Sequence, residues 1–191
     1  MSEIDAVNAV NPRHLSTTNE HYTPIEIIEA ARQTMGEIDL DPATTKRVNE
    51  TRVKATNFFT REDRALSLQW HGRVWLNPPG GLDVSTRKSN AAVWWTKLVD
   101  EYRANRVREA VFLGFTLEIF ATSQDADMWI GDFPFCVPRQ RIAFWKDGAL
   151  EGYARGGSPA HSNVIVYLPP RDGNTIAFKH AFEKFGRVST T

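Results

Sequence analysis

The chain has 191 residues, of which 41% are hydrophobic and 24% are charged, a composition typical of one globular domain with a sizeable core. Its 23 basic residues are balanced by 23 acidic residues, which argues against a protein that coats nucleic acid irrespective of sequence. The single cysteine excludes a disulfide framework and a cysteine-rich metal site, and no apolar run approaches the roughly 20 residues of a membrane span. We therefore predict a cytoplasmic protein that has no cysteine-rich metal site and does not cross a membrane.

The chain begins with a polar segment, residues 1–18, that has little periodicity and lacks the apolar core of a signal peptide. We predict a flexible arm there and a folded domain over residues 19–191. The sequence Thr23-Pro24-Ile25-Glu26 predicts a helix start, because its threonine can cap, its proline suits the first helical position and its glutamate completes a capping box. Apolar residues at helical spacing continue to Met35, and Gly36 is expected to end the helix.

The rest of the chain alternates strands with helices and becomes strand-rich towards its end. Strands are predicted at residues 38–40, 73–76, 110–115, 133–137, 141–145 and 163–168. Helices are predicted at 91–103, 117–122 and 176–185, with a stop at Gly186, a loop at 82–90, and either a polar helix or an irregular connection at 44–55. This pattern predicts one α/β domain whose sheet is mostly parallel and has antiparallel edge strands.

The sequence Asn77-Pro78-Pro79-Gly80 directly follows the apolar run at residues 74–76. Each proline removes a backbone N–H and fixes φ, so the strand must end in a rigid turn. Asn77 is therefore expected at the carboxyl end of a strand, where open α/β folds place their ligands. Its amide and the proline carbonyls form a rigid cluster of acceptors suited to gripping an exocyclic amino group. The same residues are also compatible with a simple strand-ending turn.

Two groups of acidic residues are further candidates for a site. Asp39 and Asp41 occupy alternate positions of a strand end and should point the same way. Such a pair could bind a metal, accept hydrogen bonds from the ribose and ammonium of a nucleoside cofactor, or form a solvated turn. Asp63 with Leu66 would suit an adenine edge and ring face, or a surface loop packed down by its apolar residues. Neither a Gly-x-Gly-x-x-Gly motif nor a phosphate loop occurs, so NAD and ATP chemistry lack support.

Several short motifs follow one another in a fixed order between about Tyr22 and Phe144. They are Tyr22-Thr23-Pro24, Asp39-Leu40-Asp41-Pro42-Ala43, Phe59-Thr60 with Asp63 and Leu66, Trp70-x-Gly72-x-Val74-Trp75, Asn77-Pro78-Pro79, Trp95 with Lys97, and Pro138-Arg139-x-Arg141-Ile142-x-Phe144. Together they resemble the phage-type, Dam-like DNA N6-adenine methyltransferase family. The resemblance implies a single Rossmann-like domain that uses S-adenosyl-L-methionine to methylate DNA, in the cytoplasm of a bacterial host or phage-infected cell.

The resemblance also implies a role for individual residues. The residues at the target amine would be Asn77, Pro78 and Pro79. The residues around S-adenosylmethionine would be Thr23, Pro24, Asp39, Asp41, Pro42, Ala43, Asp63 and Leu66. The residues that contact the base or DNA would be Tyr22, Gly80, Trp95, Lys97, Arg139 and Arg141. No metal is implied.

The chain departs from the family pattern at Gly80, where the family has an aromatic residue. An extruded base needs a stacking partner, because extrusion costs a few kcal/mol. We expect Tyr22 to supply the ring, with Trp94, Trp95 and Phe115 as the other candidates. The alternatives to adenine methylation are transfer to cytosine N4 or a modified base, a degenerate methyltransferase fold that binds DNA or protein without chemistry, and a magnesium nuclease built on the Asp39 and Asp41 pair.

Overall fold

A seven-stranded mixed sheet dominates the computed structural model, which describes residues 21–146 and 161–190. The strands of these residues are β1 (His21–Tyr22), β2 (Leu40–Asp41), β3 (Asn57–Phe58), β4 (Gly72–Leu76), β5 (Val107–Gly114), β6 (Phe135–Pro138), β7 (Trp145–Lys146), β8 (Val164–Leu168) and β9 (Gly186–Ser189). The sheet has the order β3-β2-β4-β5-β8-β6-β9, and β1 pairs with β7 in a separate antiparallel ladder. The arm expected at residues 1–18 lies outside the described residues.

The described sheet has a parallel half and an antiparallel half. Strands β3, β2, β4 and β5 pair in parallel, whereas β8 is antiparallel to β5, β6 to β8, and β9 to β6. In this seven-stranded sheet, β2, β3, β4, β5 and β6 therefore point one way, and β8 and β9 point the other way. The predicted α/β domain is confirmed, with a mixed sheet that is compatible with a Rossmann-like fold. The antiparallel pairing extends inward to β5 and is not confined to the edge.

Alternation along the strands directs side chains into two cores, one on each face of the sheet. On β4, Val74 and Leu76 pack into one core and Trp75 into the other. Residues of β5 and β8 divide between the same two cores with the same period. The helices of the described residues are α1 (Ile25–Met35), α2 (Lys46–Val48), α3 (Asn90–Arg103), α4 (Ile119–Thr122) and α5 (Ile176–Phe182).

The helices turn the two cores into a three-layered domain. Helix α3 covers the face that contains Val74 and Leu76, while α1 and α5 cover the face that contains Trp75.

Within the described ranges, no helix combines the length and the apolar composition that crossing a membrane requires.

Helix α1 ends as predicted but begins differently. Gly36 has a φ of 83°, and its N–H donates to the carbonyl of Arg32 at 2.7 Å, so this residue ends the helix. At the other end Pro24, not Thr23, occupies the N-cap, and no side-chain hydrogen bond caps the helix. The predicted capping box is therefore wrong, because the Thr23 hydroxyl contacts Asn77 instead.

Three other predicted elements differ from the structure, while the remaining ones lie within a few residues of their expected positions. Residues 44–55 combine both alternatives, because α2 continues into the π-helical turn Asn49–Val53. The strand predicted at 141–145 is regular only at its end, where Trp145 enters β7. The helix predicted at 176–185 stops at Phe182. Gly186 then opens β9, because only a glycine lets the chain approach the Val137 carbonyl of β6 so closely.

Candidate functional site

The carboxyl ends of β2 and β4 form the point where the strand order of the sheet reverses. The chain leaves β2 towards β3 on one side and leaves β4 towards β5 on the other side. The two strands are parallel neighbours, with Leu40 opposite Val74, so that Asp41 and Asn77 end adjacent strands at the same edge. Ligands of open α/β sheets bind in the crevice that such a reversal creates. This edge is therefore the candidate functional site.

Asn77 is held at this edge by a contact with Thr23. Its amide nitrogen Nδ2 donates to the Thr23 hydroxyl over 3.2 Å. Thr23 is only 4% exposed and directly precedes α1, which packs on the same face of the sheet as Trp75. Because Thr23 accepts from the amide nitrogen, the amide oxygen is directed away from Thr23. Pro78 is buried and Pro79 is exposed. One side of the turn therefore packs against the protein, and the other side faces solvent.

A residue that the sequence did not single out anchors Thr23. Arg52 lies in the π-helical turn, is only 8% exposed, and donates from Nη1 to the Thr23 carbonyl over 3.2 Å. π-Helical turns occur often at functional sites. No local sequence signal predicts this contact, because it joins residues far apart in the chain.

Asp41 is buried at the same edge, with 2% of its surface exposed. Its carboxylate accepts the backbone N–H of Ala43 over 3.1 Å and a hydrogen bond from the Thr44 side chain. Asp41 forms no ion pair with any other residue that the structure describes. Burial disfavours the charged form and raises the pKa of Asp41 from 3.8 to about 7. Asp41 is thus a carboxyl group that would gain from an additional hydrogen-bond donor.

Asp39 has a different environment, and the two acids do not act as a pair. Its carboxylate accepts from the backbone N–H of Arg73 at 2.7 Å and from its guanidinium at 2.8 and 3.0 Å. The hydrogen bonds from Arg73 lower the pKa of Asp39. Arg73 lies near the start of β4, whereas Asn77 follows its end. We therefore leave Asp39 out of the candidate site.

Asp63 and Leu66 follow β3, the strand next to β2. The carboxylate of Asp63 accepts from the backbone N–H and the hydroxyl of Thr60, each over 2.7 Å, and these bonds lower the pKa of Asp63. Asp63 is exposed, while Leu66 packs against the core cluster that contains Trp70. The Asp63 carboxylate thus forms the capping box of its own short helix, in the segment that follows β3.

Two residues expected to contact DNA lie elsewhere. Trp95 is fully buried on α3 between the rings of Phe112 and Phe133. Lys97 forms an ion pair of 2.5 Å with Glu101, which is itself buried. Helix α3 directs its apolar side towards the sheet, so the structure gives Trp95 a core role and Lys97 a structural partner. Trp94 is also nearly buried, on the same helix.

The segment from Arg139 to Lys146 leaves the carboxyl end of β6 and reaches β1 through the pairing of Trp145 with Tyr22. Arg139 bonds through its N–H to the Phe185 carbonyl at 2.9 Å, and its guanidinium lies near carbonyls that follow α5. Arg141 is exposed. Because β6 points the same way as β4, this segment and its arginines lie at the edge that carries Asn77.

Asn163 fixes this segment to the end of β5, a role that the sequence did not indicate. Its side chain is 2% exposed, accepts the Ile142 N–H over 2.9 Å, and donates to the Phe115 carbonyl over 2.7 Å. The Phe115 ring lies 5.4 Å from the Phe144 ring and 5.3 Å from the His161 ring, measured between centroids. An aromatic cluster therefore lies next to the proposed ligand edge.

Gly80 lies at the open side of the Asn-Pro-Pro turn. Its carbonyl accepts from the side chain of Asn90 over 2.9 Å, so α3 holds the end of the turn. Among the described residues, a Cβ atom built at Gly80 would meet no atom within 4 Å other than those of its chain neighbours. The backbone at Gly80 therefore leaves room for the first atom of a larger side chain.

Comparisons of the chain with protein-family models, with curated proteins and with solved structures found no match.

Burial of Asp41 leads to a testable dependence of stability on pH. The free energy of unfolding should fall as the pH rises from about 4 to about 7, because the folded protein keeps a proton on Asp41 that the unfolded chain has released. Asp41→Asn keeps an oxygen for the Ala43 N–H and should abolish this fall. Since one pKa unit corresponds to about 1.4 kcal/mol, the variant should be a few kcal/mol more stable above pH 7.

Urea unfolding between pH 4 and pH 8 measures this effect. Asp63→Asn is the matched control, because the pKa of Asp63 is lowered and its loss should leave the fall in place. Equal pH profiles for wild type and Asp41→Asn would contradict the assignment.

Proposed function

We propose that the protein transfers a methyl group from S-adenosyl-L-methionine to the N6 amino group of adenine in DNA, as a member of the phage-type, Dam-like family that its motifs resemble. The observation that carries this proposal is the position of Asn77-Pro78-Pro79. These residues end β4 where the strand order reverses, and Thr23 orients the Asn77 amide. A rigid acceptor cluster in such a crevice suits an exocyclic amine.

The chemistry of the chain's own residues follows from the donors and acceptors at this turn. The Asn77 amide oxygen and the Pro78 carbonyl accept the two N–H groups of the amine. These hydrogen bonds draw the nitrogen lone pair out of conjugation with the ring and fix its direction. When bound, S-adenosylmethionine would supply an electrophilic methyl group to this lone pair and leave as S-adenosylhomocysteine, while the methylated nitrogen releases one proton to solvent. Positioning and electrostatic preorganisation then account for most of the rate.

The residues at the neighbouring strand ends fit this cofactor. Asp41 is a buried carboxyl with two local partners and a raised pKa, so the ammonium or ribose hydroxyls of the cofactor would stabilise its charged form. The turn that contains Pro42 and Ala43 follows it directly. Asp63 and Leu66 follow β3, one strand further out. We assign these residues, together with Thr23 and Pro24 at the start of α1, to the cofactor side of the site.

The DNA side of the site would use the basic residues at the same edge. Arg139 and Arg141 are exposed there, and Arg87 and Lys88 are exposed in the loop after Gly80. Local basic groups of this kind can bind phosphates although the whole chain carries no net charge.

The test is incubation with methyl-labelled S-adenosylmethionine and DNA of mixed sequence, followed by nucleoside mass spectrometry. We expect labelled N6-methyladenine. Labelled N4-methylcytosine without N6-methyladenine would move the assignment to cytosine. Absence of both methyl transfer and cofactor binding by calorimetry would contradict the proposal and favour a degenerate methyltransferase fold.

Substitution of Asn77 should separate catalysis from cofactor binding. Asn77→Ala removes an acceptor that acts in the transition state, which typically costs 10²- to 10³-fold in rate, or about 3–4 kcal/mol. Its affinity for S-adenosylmethionine should remain that of the wild type. Asn77→Asp keeps an acceptor oxygen and should retain part of the activity. Turnover of Asn77→Ala close to that of the wild type would show that the amine binds elsewhere.

Thr23 should act as a positioning residue for Asn77. Thr23→Val keeps the shape but loses the acceptor for the amide, so kcat should fall roughly 2- to 10-fold, since one hydrogen bond contributes about 0.5–1.5 kcal/mol. Thr23→Ser should restore kcat, because it retains the hydroxyl. Thr34→Val is the control, because Thr34 is equally buried but bonds only to Ala30 within α1. Equal kcat values for Thr23→Val and Thr34→Val would contradict this role.

A further inference from the structure

An aromatic ring lies on the same edge and the same face of the sheet as Asn77. Strands β4 and β5 are parallel neighbours, with Leu76 opposite Phe112. Asn77 directly follows the end of β4, and Phe115 directly follows the end of β5. Trp75 packs in the core that also contains Val111 and Leu113, and Phe115 packs against that core. Because side chains alternate along a strand, Asn77 and Phe115 point to this face as well.

Strand geometry gives the separation of the two residues. Extending the β4–β5 register by one residue beyond the pair Leu76 and Phe112 places Asn77 opposite Leu113. Phe115 lies two residues further along β5 than Leu113. With strands about 4.8 Å apart and a rise of about 3.3 Å per residue, their Cα atoms are about 8 Å apart. Stacked rings have centroids about 4.5–7 Å apart. A base whose amine reaches Asn77 can therefore place its ring against Phe115.

Phe115 is a partly exposed residue that is held in place by its neighbours. The Asn163 side chain donates to its backbone carbonyl, and the rings of Phe144 and His161 contact its ring at tilts of 38° and 56°. A ring that is already ordered loses little conformational entropy when it stacks on a ligand. Phe115 is thus preorganised for a planar partner.

Two of the other candidate rings lie elsewhere, because Trp94 and Trp95 pack in the core on the opposite face of the sheet. Tyr22 directly precedes Thr23, and its backbone pairs with Trp145 in the β1–β7 ladder. The choice of Tyr22 from the sequence stays a prediction. Phe115 is the candidate whose position relative to Asn77 follows from strand register.

We propose that Phe115 is the stacking partner of the target base, in place of the aromatic residue that position 80 lacks. The inference rests on the proposed function and names the residue that would bind the base. Gly80 leaves the opposite side of the crevice open. Stacking at Phe115 would offset part of the cost of extruding the base from the duplex.

The experiment compares Michaelis constants for DNA in the methyl-transfer assay. Phe115→Ala should raise the constant roughly 5- to 100-fold, the range for the loss of one base–aromatic stack, and leave S-adenosylmethionine affinity unchanged. Phe115→Leu keeps an apolar side chain against Phe144 and should still show most of the loss. Phe120→Ala is the matched control, since Phe120 is a partly buried ring packed on the opposite face.

A second substitution tests whether an aromatic ring at position 80 can replace the ring of Phe115. Gly80→Tyr introduces a ring at a position where a Cβ atom would meet no described atom beyond its chain neighbours, and it should restore part of the DNA affinity in the Phe115→Leu background. Wild-type Michaelis constants in a folded Phe115→Leu variant would overturn the inference, as would a loss that Gly80→Tyr leaves unchanged. If the wild type neither binds cofactor nor transfers methyl groups, the proposed function itself fails. An active wild type with an unaffected Phe115→Leu variant refutes only the role of Phe115.

Discussion

The parallel pairing of β2 with β4 is the constraint on which the candidate site depends. Since the chain leaves these strands in opposite directions, their carboxyl ends stay uncovered by a crossover connection and form a crevice. Pro78 and Pro79 end β4 at this point, because neither can donate to a sheet ladder. The start of α1 then reaches Asn77 through Thr23, and the segment after β6 packs on the same face of the sheet and pairs with β1. The polar groups of the site are therefore positioned by contacts between elements far apart in the chain.

Thr23 illustrates how the site and the fold compete for one side chain. A threonine at this position could cap α1, and the loss of such a cap typically costs about 0.5–2 kcal/mol. In the structure its hydroxyl contacts Asn77, and no side chain caps the helix. Burial of Ile27, Ile28 and Ala31 against the sheet stabilises α1 instead. The packing of an amphipathic face thus leaves a capping residue available to orient an amide.

The sequence predicted the features that depend on local chemistry. Asn77 at a strand end follows from the two prolines, and the end of α1 follows from Gly36, whose φ is positive. Features that depend on distant contacts could not be predicted. Asp39 and Asp41 occupy equivalent local positions, yet hydrogen bonds from Arg73 lower one pKa and burial raises the other. Trp94 and Trp95 were likewise candidates for the stacking ring, whereas tertiary packing buries both. The roles of Arg52 and Asn163 left no signal, because each bonds to backbone groups far away in sequence.

The balance of charge determines where affinity for DNA would arise. With equal numbers of basic and acidic residues, the chain has little of the sequence-independent attraction to phosphates on which many DNA-binding proteins depend. If the protein acts on DNA as proposed, local arginines at the site edge and stacking on the extruded base would have to supply more of the binding free energy. A single aromatic stack contributes about 1–3 kcal/mol, which is comparable to the cost of extruding a base. In a protein of this charge, the position of one partly exposed ring such as Phe115 would therefore decide whether DNA is bound in a reactive geometry.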